Sequence, residues 1–311
     1  MYAKIAAVSF AALAAAAPLE QRQSGPNDGQ ILNYALTLEH LENEFYRQGL
    51  ANYTAEDFEE AGAIPGFYEN LKEISFDEQT HVEFLSTALT GAGVTPVQPC
   101  TYAFGATDAA SFLATAAVLE AVGVSAYLGA AQFIANKAYL TAAGSILTVE
   151  ARHSAYLNQQ QAPPKSPFPS PFDVPLDFDE VYSLAVQFIV SCPPDNPTLP
   201  VKAFPTLTVV DPTHPVKEGD KLKLTASEDV DAEAAYFITI NGPVEADFEG
   251  GDNCYYVILP EGVQKGQEYL VLTNGEEQPT DDNIVAVGIV SIQDNLYGKG
   301  HPSQGEYPTH Y

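Results

Sequence analysis

The chain has 311 residues, of which 46% are apolar and 17% charged, and its formal net charge is −28. This length and apolar content are typical of a globular protein with a sizeable core and room for two domains. The strong negative charge repels phosphate backbones and anionic membrane surfaces, so it argues against nucleic-acid binding.

The N-terminus predicts secretion. Residues 1–4 are a short basic start, residues 5–16 are apolar, and residues 14–18 (AAAAP) offer small side chains to a signal peptidase. We therefore expect a signal peptide at residues 1–17 and a pro-segment or N-terminal arm at residues 18–27. The alternative is a buried N-terminal helix. Asn52 begins the sequence's only N-glycosylation sequon, Asn-Tyr-Thr, so we expect a glycoprotein that is extracellular or at the cell surface.

Four helical segments follow. In each, apolar residues recur every three or four positions, which is the spacing of one helix face. They cover about residues 30–50, 68–89, 108–135 and 138–161, with an acidic connection at 51–67 and a longer crossover at 91–107. The pattern predicts a four-helix bundle.

Each predicted helix places a glutamate on its buried face, the first helix offers two candidates, Glu39 and Glu42, and two helices add a histidine three residues later. These residues are Glu39, Glu78, Glu120 and Glu150, with His81 and His153. Positions i and i+3 share a helix face, so a carboxylate and an imidazole at this spacing can point at one metal ion. His40 points away from this face, and we expect it on the surface.

The pattern repeats between the two halves of the bundle. A Glu-x6-Tyr pattern recurs after 81 residues, and a Glu-x-x-His pattern recurs after 72 residues. Tyr46 and Tyr127 are the tyrosines of the first pattern. The repeat predicts two helix pairs joined by the crossover. In the same alignment Glu42 corresponds to Gly123, so Glu42 is left out of the predicted site.

Four ionised carboxylates cannot share a dry core without positive charge, because an isolated buried charge is strongly unfavourable. Two divalent cations would balance the four charges and leave both imidazoles neutral as ligands. The alternative is a structural network of shared protons or arginine pairs, but Arg152, the nearby arginine, points off the buried face. The charge balance favours a metal site.

Residues 109–135 are almost free of charge and long enough to span a bilayer. Neighbouring segments offer matching apolar faces, so we expect this stretch to be the central helix of the bundle. No transmembrane segment is predicted.

This order of helices resembles the ferritin-like di-metal carboxylate family. Residues 38–46 (LEHLENEFY) and 146–153 (ILTVEARH) are similar to its secreted fungal stress-response and plant desiccation-related branch. The resemblance implies a di-iron or di-manganese centre. It assigns Glu39, Glu78 and His81 to one ion and Glu120, Glu150 and His153 to the other, bridged by Glu78 and Glu150. Tyr46 and Tyr127 could hydrogen-bond these ligands, relay single electrons or simply pack in the core.

The bundle is expected to cover residues 28–195, with a proline-rich arm at 162–172 and a short fifth helix at 179–191. Three cysteines allow one disulfide, and Cys100 with Cys192, each beside a proline at an element end, is the expected pair. A proline-rich linker at 196–205 then leads to residues 206–296, where apolar residues alternate. Six short strands are predicted there, at 207–210, 221–225, 236–240, 254–258, 269–272 and 284–290.

These strands predict a small immunoglobulin-like β-sandwich, followed by a flexible tail at residues 297–311. The expected fold class is therefore α+β multidomain, with a ferritin-like four-helix bundle before the sandwich. No catalytic constellation is recognised in the second part, where cell-wall or matrix contact is possible by analogy of fold.

The first functional expectation is a secreted protein whose iron or manganese reacts with dioxygen or peroxide in a stress response. If it is an enzyme, the resemblance implies a ferroxidase- or catalase-like oxidoreductase. The alternative is a non-enzymatic, stress-induced extracellular scaffold with a vestigial or structural metal site.

Overall fold

The structure is a computed structural model that describes residues 25–210 and 215–292. The predicted signal peptide and the predicted tail lie outside these residues. Within them the chain has six helices and ten strands. The helices are α1 (Asp28–Asn52), α2 (Ala55–Glu60), α3 (Phe67–Gly91), α4 (Ala109–Ala131), α5 (Lys137–Gln159) and α6 (Phe178–Val186).

The four long helices match the four predicted segments to within a few residues. Three of them begin at a capping side chain: Asn27, Asp108 and Asn136 each accept a hydrogen bond from a backbone N–H of the first turn. Helix α1 packs along α3, and α4 packs along α5. The bundle therefore consists of two helix pairs, as the sequence repeat predicts.

Helix α2 lies in the predicted acidic connection and was not predicted. Thr54 and Asp57 form a reciprocal capping box at its start, and Phe58 is its one buried residue. A helix of six residues with a single buried side chain is too short to show a helical apolar period.

Helix α4 is the central helix. Of the described helices, it is the one long and apolar enough to cross a membrane, and 67% of its most apolar window is buried inside the protein. The chain leading into α6 crosses it at Gly129, where an added Cβ would lie 1.7 Å from the carbonyl oxygen of Leu176. Only glycine allows this close approach.

Helix α6 is shorter than the predicted fifth helix. After it, β2 (Ile189–Ser191) pairs antiparallel with β1 (Thr101–Tyr102). Ile189 and Val190 are β-branched, which favours a strand over a further helical turn. The disulfide predicted between Cys100 and Cys192 is present beside this pair.

The remaining eight strands form one sheet. They are β3 (Thr206–Val209), β4 (Lys221–Ala226), β5 (Ala234–Ile238), β6 (Val244–Ala246), β7 (Phe248–Gly251), β8 (Cys254–Ile258), β9 (Gly266–Thr273) and β10 (Ile284–Ile292). Their order is β6-β5-β9-β10-β3-β4-β8-β7, with β3 and β10 parallel and the other pairs antiparallel.

The sheet is nearly barrel-like. Strands β6 and β7 lie at opposite edges of it, yet only Asp247 separates them in the chain. The two edges must therefore come close together. The predicted immunoglobulin-like sandwich is not confirmed, since alternating apolar residues occur equally in a sandwich and in one rolled sheet.

The sheet packs directly on the bundle. The hydroxyl of Tyr269 on β9 donates to the carbonyl of Ala121 at 3.1 Å and lies 2.9 Å from the Ser125 hydroxyl, both on α4. The backbone N–H of Phe204, in the proline-rich linker, donates to the Ser183 hydroxyl of α6 at 2.7 Å. Apolar residues of bundle and sheet share one core cluster.

Candidate metal centre

The structure brings the six predicted ligand residues together in the middle of the bundle. The four glutamates, Glu39, Glu78, Glu120 and Glu150, come from α1, α3, α4 and α5, and each is 0% exposed. The two histidines, His81 and His153, are 8% and 7% exposed. Helical spacing turns all six side chains toward the bundle axis.

The six side chains form two groups. In the first, His81 Nδ1 lies 3.2 Å from Glu39 Oε2, 3.2 Å from Glu150 Oε1 and 3.4 Å from Glu78 Oε2. In the second, His153 Nδ1 lies 3.1 Å from Glu78 Oε1 and 3.4 Å from Glu120 Oε2. One donor atom per residue lies within 4.8 Å of the others in each group, and Glu78 and Glu150 belong to both.

Eight donor atoms in this pocket are buried and have no hydrogen-bond partner among the described residues. They are Glu39 Oε2, both oxygens of Glu78, His81 Nδ1, Glu120 Oε2, both oxygens of Glu150, and His153 Nδ1. Buried polar atoms in folded proteins are nearly always satisfied, so a cluster of exceptions requires an explanation. The donor set fits divalent metal ions, because all eight atoms are oxygens or imidazole nitrogens that face a shared centre.

The remaining oxygens of Glu39 and Glu120 are held by tyrosines from the opposite helix. Tyr127 on α4 donates to Glu39 Oε1 at 2.5 Å, and Tyr46 on α1 donates to Glu120 Oε1. Burial raises the pKa of both phenols well above 10, so both stay protonated as donors. Each tyrosine thus orients a carboxylate on the opposite helix. The glutamate on the tyrosine's own helix lies two helical turns away.

Burial and neighbouring charge set the protonation of the carboxylates. Burial raises the pKa of Glu39 to about 7, and burial with repulsion from Glu78 raises the pKa of Glu150 well above its usual value. Burial also acts to raise the pKa of Glu78, but the nearby imidazoles of His153 and His81, with Nδ1 atoms 3.1 and 3.4 Å from its oxygens, hold it at about 2.

The histidines respond in the opposite sense. Burial acts to lower their pKa values, but the surrounding carboxylates raise the pKa of His81 to about 10 and that of His153 to about 11. Protons on the imidazoles therefore supply positive charge to the pocket at neutral pH.

Glu42 is a fifth buried carboxylate, and the sequence interpretation left it out. It is 4% exposed, and a Cβ added to Gly123 would lie 3.1 Å from Glu42 Oε1 and 3.7 Å from Glu150 Oε2. Burial, followed by repulsion from three of the site glutamates, raises its pKa well above the usual value. The sequence feature that could have identified Glu42 is its alignment with Gly123, because the glycine opens the space that this carboxylate fills.

Asp77 is a second residue that the sequence interpretation missed. Its carboxylate lies 3.2 Å from His153 Nε2, the ring nitrogen that faces away from the pocket. Metal-binding histidines commonly donate this second N–H to a carboxylate. The sequence feature that could have identified Asp77 is its position directly before the Glu-x-x-His pattern. The corresponding position in the other half of the repeat is Val149.

His40 and Asn52, both on α1, lie outside the metal centre. His40 was expected on the surface, and this is wrong: the side chain is 9% exposed and its Nε2 lies 3.1 Å from the carbonyl of Val97, in the crossover that covers this face of α1. Asn52 is exposed at the end of α1.

A small apolar cavity of about 30 Å³ adjoins the site at Tyr127. Its walls include Ile31, Ala35, Leu85, Ala126 and Ala130. This volume has room for a molecule about as small as water, and the apolar walls disfavour water itself. Apolar side chains thus line the space up to Tyr127, the residue that donates to Glu39.

Comparisons with known proteins give three similarities. Residues 27–162 match a family model described as a ferritin-like domain. Protein rds1 of Schizosaccharomyces pombe is 28% identical over 185 residues, which cover 60% of this chain and 45% of rds1. The match thus spans less than half of the length of that relative. The crystal structure of a conserved hypothetical protein, rv2844, from Mycobacterium tuberculosis shares 18% identity, with a TM-score of 0.36 over 42% of this chain and 86% of that one.

Proposed function

We propose that the four long helices hold two divalent metal ions, iron or manganese. The match of residues 27–162 to a family model described as a ferritin-like domain supports this proposal. Glu39, Glu78 and His81 hold one ion, Glu120, Glu150 and His153 hold the other, and Glu78 and Glu150 serve both. The observation that carries this proposal is the set of eight buried donor atoms without partners among the described residues. Oxygen and imidazole donors without thiolate suit iron and manganese.

We propose further that the bound metal reacts with dioxygen or peroxide. The metal supplies one-electron redox chemistry, and the protein residues prepare its surroundings. Tyr127 and Tyr46 hold two ligand carboxylates in place, and the dry bundle core excludes bulk water. The apolar cavity at Tyr127 supports access by a small gas such as dioxygen.

Secretion and a stress role are also proposals. The N-terminal sequence predicts export, and the Cys100–Cys192 disulfide is typical of proteins in oxidising compartments. Asn52 is exposed, as a glycan acceptor must be. The stress role rests on the resemblance of residues 38–46 and 146–153 to the fungal and plant branch.

A second candidate is a non-enzymatic scaffold in which the pocket is structural. One observation favours it: protonated His81 and His153 each lie within 3.4 Å of two or more carboxylates, so the network can hold its own balancing charge. In this case the bundle supports the sheet, and the sheet makes contacts at a cell surface or matrix.

The deciding experiment is the metal content of protein purified from its own secretion route, then loaded with iron or manganese. We expect close to two ions per chain, lost in Glu150→Gln/His153→Asn and kept in Glu83→Gln, an exposed control on α3. Fewer than about 0.2 ions per chain in the unmutated protein contradict the proposal, because such ligand sets bind metal tightly. Assays of Fe(II) oxidation and peroxide decay on the loaded protein then separate the enzyme from the scaffold.

A further inference from the structure

Three carboxylates outside the bundle core meet where α6 approaches the sheet. Asp177 caps α6, Glu180 lies in its first turn, and Asp281 lies in the loop between β9 and β10. One oxygen of each residue lies within 4.8 Å of the others. Residues from two distant parts of the chain therefore converge on one point.

Glu180 is the buried member of this group. It is 6% exposed, and its Oε2 atom has no hydrogen-bond partner in the part of the chain that the structure describes. Burial, followed by the charge of Asp177, raises its pKa to about 8. A buried carboxylate of this kind takes up either a proton or a cation.

Tyr34 adds a second polar atom of the same kind. Its ring packs edge-on against Phe178, with ring centroids 4.9 Å apart, and its buried hydroxyl has no hydrogen-bond partner among the described residues. Burial, followed by the charges of Asp177 and Glu180, raises the pKa of this hydroxyl. The Tyr34 hydroxyl on α1 and Glu180 Oε2 on α6 are thus two oxygen atoms unsatisfied by the described residues, and the charge of Asp177 acts on both residues.

The chemistry of the group indicates which cation fits. All donors are oxygens, and calcium takes six to eight oxygens at about 2.3–2.6 Å, so two ligands on opposite sides of it lie roughly 4.6–5.2 Å apart. The observed spread of at most 4.8 Å can close around such an ion. Asp177 and Asp281 are only half-buried, which leaves water access to the remaining positions.

We propose that Asp177, Glu180 and Asp281 bind a calcium ion that fastens α6 to the β9–β10 loop. This site is separate from the bundle centre and does not depend on its function. It lies at a junction that already holds hydrogen bonds, since the backbone N–H of Lys202 donates to Asp179 Oδ1 at 3.0 Å. Calcium therefore stabilises the contact between the helical part and the sheet.

The test is calcium-dependent thermal stability of the full chain. The protein is stripped with a chelator, its bundle centre is reloaded with manganese, and calcium is added at about ten times a Kd of 10⁻⁴ to 10⁻³ M, the range of extracellular calcium modules. We expect a rise in melting temperature that is lost in Glu180→Gln and in Asp281→Asn. The matched control is Asp282→Asn, an exposed neighbour, which keeps the rise.

Terbium luminescence provides a second readout that does not depend on stability. Terbium replaces calcium and is excited through a nearby tyrosine, so emission at saturating terbium is expected to fall several-fold in Tyr34→Phe. Calcium must compete the signal away, and Asp281→Asn must weaken binding by about tenfold.

Two results overturn the proposal. One is the absence of any calcium response in the unmutated protein. In that case Lys202, whose ammonium donates to the Asp281 carbonyl, supplies the positive charge that balances these carboxylates. The other is an equal response in Asp281→Asn, which places the calcium elsewhere on this acidic protein. Neither result bears on metal binding in the bundle, which is measured separately.

Discussion

Tyr127 on α4 donates a hydrogen bond across the bundle to Glu39 on α1, and this bond has a mirror in the one from Tyr46 to Glu120. Each half of the internal repeat therefore orients a carboxylate of the other half. The two helix pairs complete each other, so neither pair alone contains a fully held ligand set.

We expect Tyr127→Phe to lower the free energy of unfolding by about 1–3 kcal/mol, because it leaves Glu39 Oε1 buried without a donor. Metal affinity is expected to fall about tenfold, as for other groups that orient ligands. Chemical denaturation and metal titration measure the two effects. Tyr156→Phe is the control, since its hydroxyl accepts an exposed bond from Asn70 away from the pocket. Equal affinity in both variants contradicts an orienting role.

Gly123→Ala tests the space filled by Glu42. The new methyl group would lie 3.1 Å from Glu42 Oε1, so this oxygen must shift by a few tenths of an ångström. We expect weaker metal binding and little or no stabilisation. Gly144→Ala is the matched control, because nothing lies within 4 Å of its added Cβ, and it is expected to stabilise α5 by about 0.5–1 kcal/mol. Stabilisation of equal size in both variants, with metal binding intact, contradicts a steric link between Gly123, Glu42 and the metal site.

Metal affinity is expected to rise with pH between about 6 and 9. The folded-state pKa values of His81 and His153, about 10 and about 11, lie above the ordinary value of about 6.5. In the metal-free protein, the two imidazolium groups therefore stabilise the folded state fully below about pH 6.5. This stabilisation is lost as the pH rises through 10 and 11.

Metal ligation requires neutral imidazoles, so loading must release these protons. Calorimetry of metal binding in two buffers of different protonation enthalpy counts them, and we expect at least two per chain at pH 7.5. Release of none means that the imidazoles are not the ligands.

Asp77→Asn tests the support of His153. The aspartate side chain is 44% exposed, so we expect little change in the free energy of unfolding. The bond to His153 Nε2 is weakened, and affinity for one of the two metal ions is expected to fall about tenfold. A two-site titration resolves this asymmetry, because the other half has Val149 at the corresponding position. A uniform loss at both sites contradicts the assignment.

The sequence predicted the four long helices and the convergence of six polar residues because both depend on local helical spacing and a simple repeat. It did not predict that Glu42 is buried beside the site, since this depends on a space between two helices rather than on one helix face. The closure of the sheet was also missed. It depends on the short strands β6 and β7, which are too brief to show alternation.

The contact between Tyr269 and α4 has a consequence for how the molecule unfolds. The β9 side chain covers the most apolar helix at Ala121 and Ser125, in the same stretch that carries Glu120 and Tyr127. Removing the sheet exposes this helix to water, so a chain shortened to the bundle is expected to aggregate. Helices and sheet should therefore melt in one cooperative transition, and loss of the metal should lower the midpoint for both.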